Sequence, residues 1–135
     1  MLDESTRDRL LAAARSALPA AYAPYSGFRV AAALLVDDEA VITGVNVENV
    51  SYGLTICAER AAVVSAVTAG YRNVRAIAIV TDRDGPCMPC GACRQVLAEF
   101  ANSETVVVVE GPRGETQVFA LGALLPFAFA SIPAE

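Results

Sequence analysis

The chain has 135 residues, one domain's worth, with 10 basic and 15 acidic residues for a net charge of −5, and it contains neither histidine nor lysine. These features exclude a Ser-His-Asp triad, a Cys-His nucleophile pair and any histidine metal ligand, and the scattered arginines form no positive stripe to hold a nucleic acid polymer. Hydrophobic residues reach 55%, above the usual ~45–50%, so a chain this small is expected to bury apolar surface between subunits as a homo-oligomer.

Met1-Leu2-Asp3-Glu4 is acidic and lacks the basic segment and apolar run of a signal peptide. No apolar run reaches the ~18 residues that span a bilayer. A cytoplasmic protein with reduced thiols and no membrane partner is expected. Residues 3–18 read as an amphipathic helix, with Leu10, Leu11, Ala14 and Leu18 at helical spacing, Asp3 or Ser5 as cap and Pro19 as stop. Tyr22 to Gly27 is loop. Phe28 to Val36 and Val41 to Val47 are strands joined by Asp37-Asp38-Glu39, a hairpin. Asn49 to Ile56 is loop, and a helix from Cys57 to Ala69 stops at Gly70. Val74 to Val80 is a strand covered on both faces. After a loop over 82–89 come a helix from Cys90 to about Ala101, a strand over Thr105 to Val109 and a turn over Gly111 to Gly114. A short strand near Gln117 to Phe119, a helical turn or two over Leu121 to Leu125 and a tail from Pro126 to Glu135 complete the chain. Strands alternating with helices imply one α/β domain spanning 1–135, with a parallel portion of sheet.

Two segments carry chemistry: Cys57-Ala58-Glu59-Arg60 and Pro89-Cys90-Gly91-Ala92-Cys93. Residues three apart on one helical turn lie about 5–6 Å apart, close enough for two thiolates to chelate one ion. Pro89 suits a first helical position, and Cys57 also opens a helix, so two helix dipoles favour thiolate at the site. Three cysteine ligands leave one position for water, as a catalytic zinc requires. Glu59, two residues beyond Cys57, stands beside the metal as a proton carrier, and Arg60 offsets the negative charge of three thiolates. Cys87 leaves an alternative open. With Cys57, Cys90 and Cys93 it could close a structural zinc site that holds no water.

The pairing of C-A-E with a downstream P-C-x-x-C resembles the nucleoside and nucleobase deaminase signature, a class whose mechanism is well described. With cysteine in place of the more common histidine, the chain is similar to the short, homotetrameric cytidine deaminases. The resemblance runs through Pro24-Tyr25-Ser26-Gly27-Phe28-Arg29-Val30, Gly44 to Asn49, Ser51 to Arg60, Pro89 to Phe100 and Leu124-Leu125-Pro126 to Phe129. It implies a three-layer α/β/α sandwich around a mixed, roughly five-stranded sheet, and one zinc ion per subunit held by Cys57, Cys90 and Cys93. It also implies hydrolytic deamination of free cytidine and deoxycytidine in pyrimidine salvage. Glu59 would protonate N3 and pass a proton to the departing ammonia. Around the nucleoside it places Phe28, Asn46, Val47, Glu48, Ala58, Tyr52 and Phe129. Phe28 packs on the pyrimidine, Asn46 and Glu48 bond the ribose 3′-hydroxyl, and Tyr52 and Phe129 complete a neighbouring subunit's pocket. A related deaminase for another amino-heterocycle would share the zinc motifs. Ala31 stands where the family pattern has glycine, and Cys87 is additional to that pattern.

Overall fold

The two most apolar runs of the sequence become the two central strands, because both faces of each are covered. In a computed structural model describing residues 2–134, every residue of β1 (Val30–Val36) is buried, and in β3 (Val74–Thr81) only Arg75 is exposed. Met1 and Glu135, the outer ends of the acidic N-terminal segment and of the expected tail, lie outside the described residues. The remaining strands are β2 (Val41–Val45), β4 (Val106–Glu110) and β5 (Thr116–Ala120), in the order β2-β1-β3-β4-β5. β3 and β4 run parallel, and the other pairs are antiparallel. The sheet is mixed and five-stranded, as expected.

Side chains alternate across the sheet with a period of two, which separates two cores. On one face Ala31, Ala33, Ala76 and Ala78 meet Leu10, Leu11 and Ala14 of α1 (Glu4–Ala17). Four alanines in that layer let the helix lie close. On the other face Leu34, Val36, Ile77, Ile79 and Val107 pack with Ala62 and Val63 of α2 (Ala58–Thr68) and Leu97 of α3 (Gly91–Phe100). One helix on one face and two on the other make three layers. A last turn, α4 (Leu121–Leu124), follows β5.

Several boundaries move for identifiable reasons. Asp3 caps α1 by accepting from the Thr6 N–H at 2.7 Å. Pro19 falls in a 3₁₀ turn over Leu18–Ala20 that extends the helix by three residues instead of ending it outright. β1 starts at Val30, not Phe28, because the Phe28 carbonyl accepts from the Asn46 side chain while Arg29 N–H donates to Asp82. β2 stops at Val45, and Val47 leaves it to bridge Tyr22 on one side and Ile56 on the other. Pro89 is not the first helical residue: Cys90 is the N-cap of α3, so the proline stands one position outside. α2 ends as expected at Gly70, whose φ of +99° lets Gly70 N–H reach Val67 O and Tyr71 N–H reach Ala66 O.

Candidate metal centre

Cys57 caps α2, Cys90 caps α3, and Cys93 lies in the first turn of α3. Neither capping thiol makes the side-chain cap hydrogen bond to the first turn of its helix. The three sulfurs instead lie within 4.8 Å of one another, with Cys90 and Cys93 Sγ 3.5 Å apart. Tetrahedral zinc with bonds of about 2.3 Å would hold its sulfurs about 3.8 Å apart, so the donor set fits that ion. Both helix N-termini point their positive ends at the cluster. The approach of α2 depends on Gly44 of β2, where a Cβ would meet Ala62 N at 2.3 Å and Ala58 O at 2.7 Å.

Charge in the cluster is unevenly shared. The Cys57 thiol is held down to about 5, chiefly by a hydrogen bond from Cys93, against the opposing effect of burial and with further help from Arg60. The Cys93 thiol is pushed up in turn by that same bond and by burial. Arg60 Nη2 reaches Cys57 Sγ at 3.5 Å and Thr55 O at 3.4 Å. Its Nε is buried without a partner. Cys87 stays outside the cluster, its thiol directed at Met88 O at 3.8 Å, and burial pushes it up to about 11. Among the described residues, three cysteines converge and not four, so the closed site is not built. Arg94, which the sequence did not single out, donates to Pro89 O at 2.7 Å and to Leu124 O at 2.8 Å, fixing the approach to Cys90.

Glu59 sits in the first turn of α2, 5% exposed. Burial raises its carboxyl above the ordinary range, only partly countered by its own backbone N–H, and the Cys57 charge adds to the rise. Ala58, beside Glu59, is fully buried.

Next to the cluster, the backbone on either side of Val47 is pinned between Tyr22 and Ile56 by bonds of 2.9–3.0 Å. That arrangement turns Asn46 and Glu48, two residues apart, toward the segment leading into β1. Asn46 is buried, donates to Phe28 O at 2.7 Å and accepts from Val30 N–H at 3.0 Å. One amide hydrogen and one lone pair remain to it. Glu48 accepts from Tyr25 N–H at 2.9 Å, Ser26 N–H at 3.1 Å and the Ser26 hydroxyl. The hydroxyl bond leads in lowering its pKa, so the carboxylate stays charged. Tyr25, Ser26, Glu48, Tyr52 and Thr55 line one open cleft, and Tyr25 and Tyr52 meet edge to face at 6.0 Å. Phe28 is half-buried, its N–H donating to the Ser26 hydroxyl at 2.9 Å. Phe129 is elsewhere: 67% exposed, it lies in a groove between α3 and α4, its carbonyl accepting from Gln95 at 3.0 Å. Ser26 was missed as a site residue. Its only sequence signal is a hydroxyl in a Tyr-Ser-Gly turn.

The family described as the cytidine and deoxycytidylate deaminase zinc-binding region matches residues 4–110. The chain belongs to that deaminase family. It is 49% identical over 125 residues to a cytidine deaminase of Halalkalibacterium halodurans, covering 93% of this chain and 95% of that one. The crystal structure of a cytidine deaminase from Burkholderia pseudomallei superposes with a TM-score of 0.87 at 50% identity, covering 90% of this chain and 98% of that one. A cytidine deaminase structure from Mycobacterium tuberculosis superposes with a TM-score of 0.79 at 48% identity, covering 90% and 95%. The deaminase fold expected from the sequence is therefore the fold observed. Zinc is the ion of this family, and the cysteine cluster fits it.

Proposed function

We propose that this chain hydrolyses free cytidine and deoxycytidine to uridine and deoxyuridine with release of ammonia. The observation that carries this is the buried Glu59 carboxyl set against three converging thiols. Cys57, Cys90 and Cys93 would hold the zinc ion, which would supply Lewis acidity there and make water a better nucleophile. Glu59, its carboxyl raised chiefly by burial, is suited to hold and release a proton at the reacting atoms. It accepts a proton from water as the hydroxide adds to C4 and delivers that proton to N3. It then takes the proton of the new C4 hydroxyl and passes it to the amine, which leaves as ammonia when the C4–N bond breaks and the carbonyl forms. Arg60 balances the negative thiolates and is held for that by Thr55 O. Asn46 and Glu48 bind the sugar hydroxyl, the charged carboxylate accepting and the amide using its remaining hydrogen. Phe28 packs on the base, with Val47 and Ala58 beside it.

We further propose a homotetramer in the cytoplasm, each chain acting as one catalytic domain. Supporting this, Tyr22, Val47, Val50, Tyr52, Leu54 and Ile56 are exposed together, a concentration of apolar side chains that asks for a covering partner. Tyr52 and Phe129 then complete neighbouring pockets, which suits the distance of Phe129 from the cleft. Among the described residues no helix is long and apolar enough to cross a membrane.

The test follows the fall in absorbance of cytidine with purified protein, with and without a zinc chelator, alongside light scattering for a particle four times the 14.1 kDa chain. Glu48→Ala is expected to raise KM about 10- to 100-fold, the worth of one hydrogen bond to a charged group. A zinc-loaded protein inert toward cytidine, or Glu48→Ala with unchanged KM, overturns the assignment.

A further inference from the structure

We infer that Arg83, in the loop after β3, is a positioning residue of the nucleoside pocket. It ties down both the Phe28 ring and the Ser26 turn, from which the base and sugar contacts are made. The inference rests on the nucleoside reading above and adds a residue that no sequence feature marked.

The loop is fixed before the side chain reaches out. Asp82 N–H donates to Arg29 O at 3.3 Å, and Arg29 N–H donates back to Asp82 Oδ1 at 3.1 Å. The Thr81 hydroxyl donates to Arg29 O at 3.1 Å and accepts from Arg83 N–H at 3.2 Å. The start of this loop is thus latched to the residues entering β1. From there the Arg83 guanidinium does two things. Its Nη2 donates to Ser26 O at 2.8 Å, and its Cζ lies 5.7 Å from the centre of the Phe28 ring. Gly27 lies between the two, with φ +69°, and a Cβ on it would touch Arg83 Nη2 at 3.4 Å.

Ser26 joins the two halves of the pocket. Its hydroxyl accepts from Phe28 N–H at 2.9 Å and donates to Glu48. One guanidinium therefore restrains the aromatic ring directly and the carboxylate through a single intervening residue. Among the described residues Arg83 forms no ion pair, whereas nearby Asp84 pairs with Arg113 at 3.3 Å. One donor, on Nη2, and the guanidinium itself are directed at the pocket wall. An exposed arginine contributes little to folding, but holding a ring and a turn in their bound geometry lowers the ordering cost of binding.

The experiment measures kcat and KM for cytidine, calorimetric Kd for uridine, and Tm on zinc-loaded wild type, Arg83→Ala, Arg83→Met and Arg83→Lys. Arg83→Ala is expected to raise KM and the uridine Kd about three- to tenfold, the cost of ordering one more side chain on binding. Its kcat should stay within about twofold and its Tm should not move. Arg83→Met, which keeps the stem but not the donor or charge, should match Arg83→Ala. Arg83→Lys should recover most of the loss. An active wild type whose Arg83→Ala variant has the same or a lower KM overturns the inference alone. So does a joint fall of kcat and Tm, which would make Arg83 merely structural. A wild type that neither binds uridine nor turns over cytidine overturns the nucleoside reading, and this inference with it.

Discussion

Replacing Glu59 by glutamine preserves shape, volume and burial while removing the ability to take up a proton. The carboxyl is 5% exposed beside the three thiols, so no bulk water stands in for it easily. Burial is the main cause of its raised pKa, and an amide at the same place carries no charge to desolvate. Glu59→Gln should therefore fold at least as well as wild type and keep its zinc, because Cys57, Cys90 and Cys93 are untouched. A positioned acid–base group contributes about 10²–10⁴-fold. At 1.36 kcal/mol per tenfold, that is about 2.7–5.4 kcal/mol of barrier. The expected result is a loss of that size in kcat, with KM changed far less, measured by cytidine absorbance with metal content determined on the same sample. A variant with full zinc and wild-type kcat would refute the role assigned to Glu59. A variant that lost its zinc would refute the separation of proton carrier from ligand.

Other expectations follow from single features. Cys87→Ser should keep one zinc per chain and wild-type activity, because that sulfur stands outside the cluster. Cys90→Ser should lose most of its zinc, read by metal analysis. Gly44→Ala places a methyl group 2.3 Å from Ala62 N. Overpacking against backbone is expected to cost about 1–3 kcal/mol or more, lowering Tm by roughly 3–12 °C at this chain length and zinc uptake with it. An unchanged Tm would mean that α2 does not rest on β2 as described. Glu110 is held below the usual carboxylate range: burial works against the shift, but hydrogen bonds from Arg15 and Thr116 outweigh it. A depressed folded pKa gives stability that is present above the unfolded value of about 4.3 and lost as pH falls through the folded value. Denaturant curves of wild type and Glu110→Gln should differ by about 0.2–1 kcal/mol above pH 5, as for a solvent-screened pair, and converge in stronger acid. A gap that persists at low pH would count against the ion pair.

Much of the fold was legible because the chain's patterns are strong. The β1 and β3 runs are apolar on both faces, which is the mark of strands covered on both sides, and Gly70 closes α2 where a left-handed residue was required. The boundaries that moved did so through tertiary contacts. Phe28 and Arg29 leave β1 because Asn46 and Asp82, 18 and 53 residues away, take their backbone groups. Pro89 precedes the cap of α3 because Cys90, not proline, is placed where the sulfur must meet Cys57. Ser26 and Arg83 stayed hidden for a similar reason. A serine in a turn and an arginine on the surface have no local signature, and their importance comes from what they touch.

By itself the sequence determined the kind of chemistry open to this protein. With no histidine and no lysine, a metal site had to be made from cysteine and carboxylate, and the spacing of C-A-E and P-C-x-x-C named the donors. Only the tertiary structure decided which sulfurs share a site and what surrounds them. Cys57 lies more than thirty residues before Cys90, and their meeting depends on two helices starting at the same place on one face of the sheet. Cys87, three residues from Cys90, is left out. Separation along the chain sets what residues are available, whereas packing against a common sheet sets which of them meet.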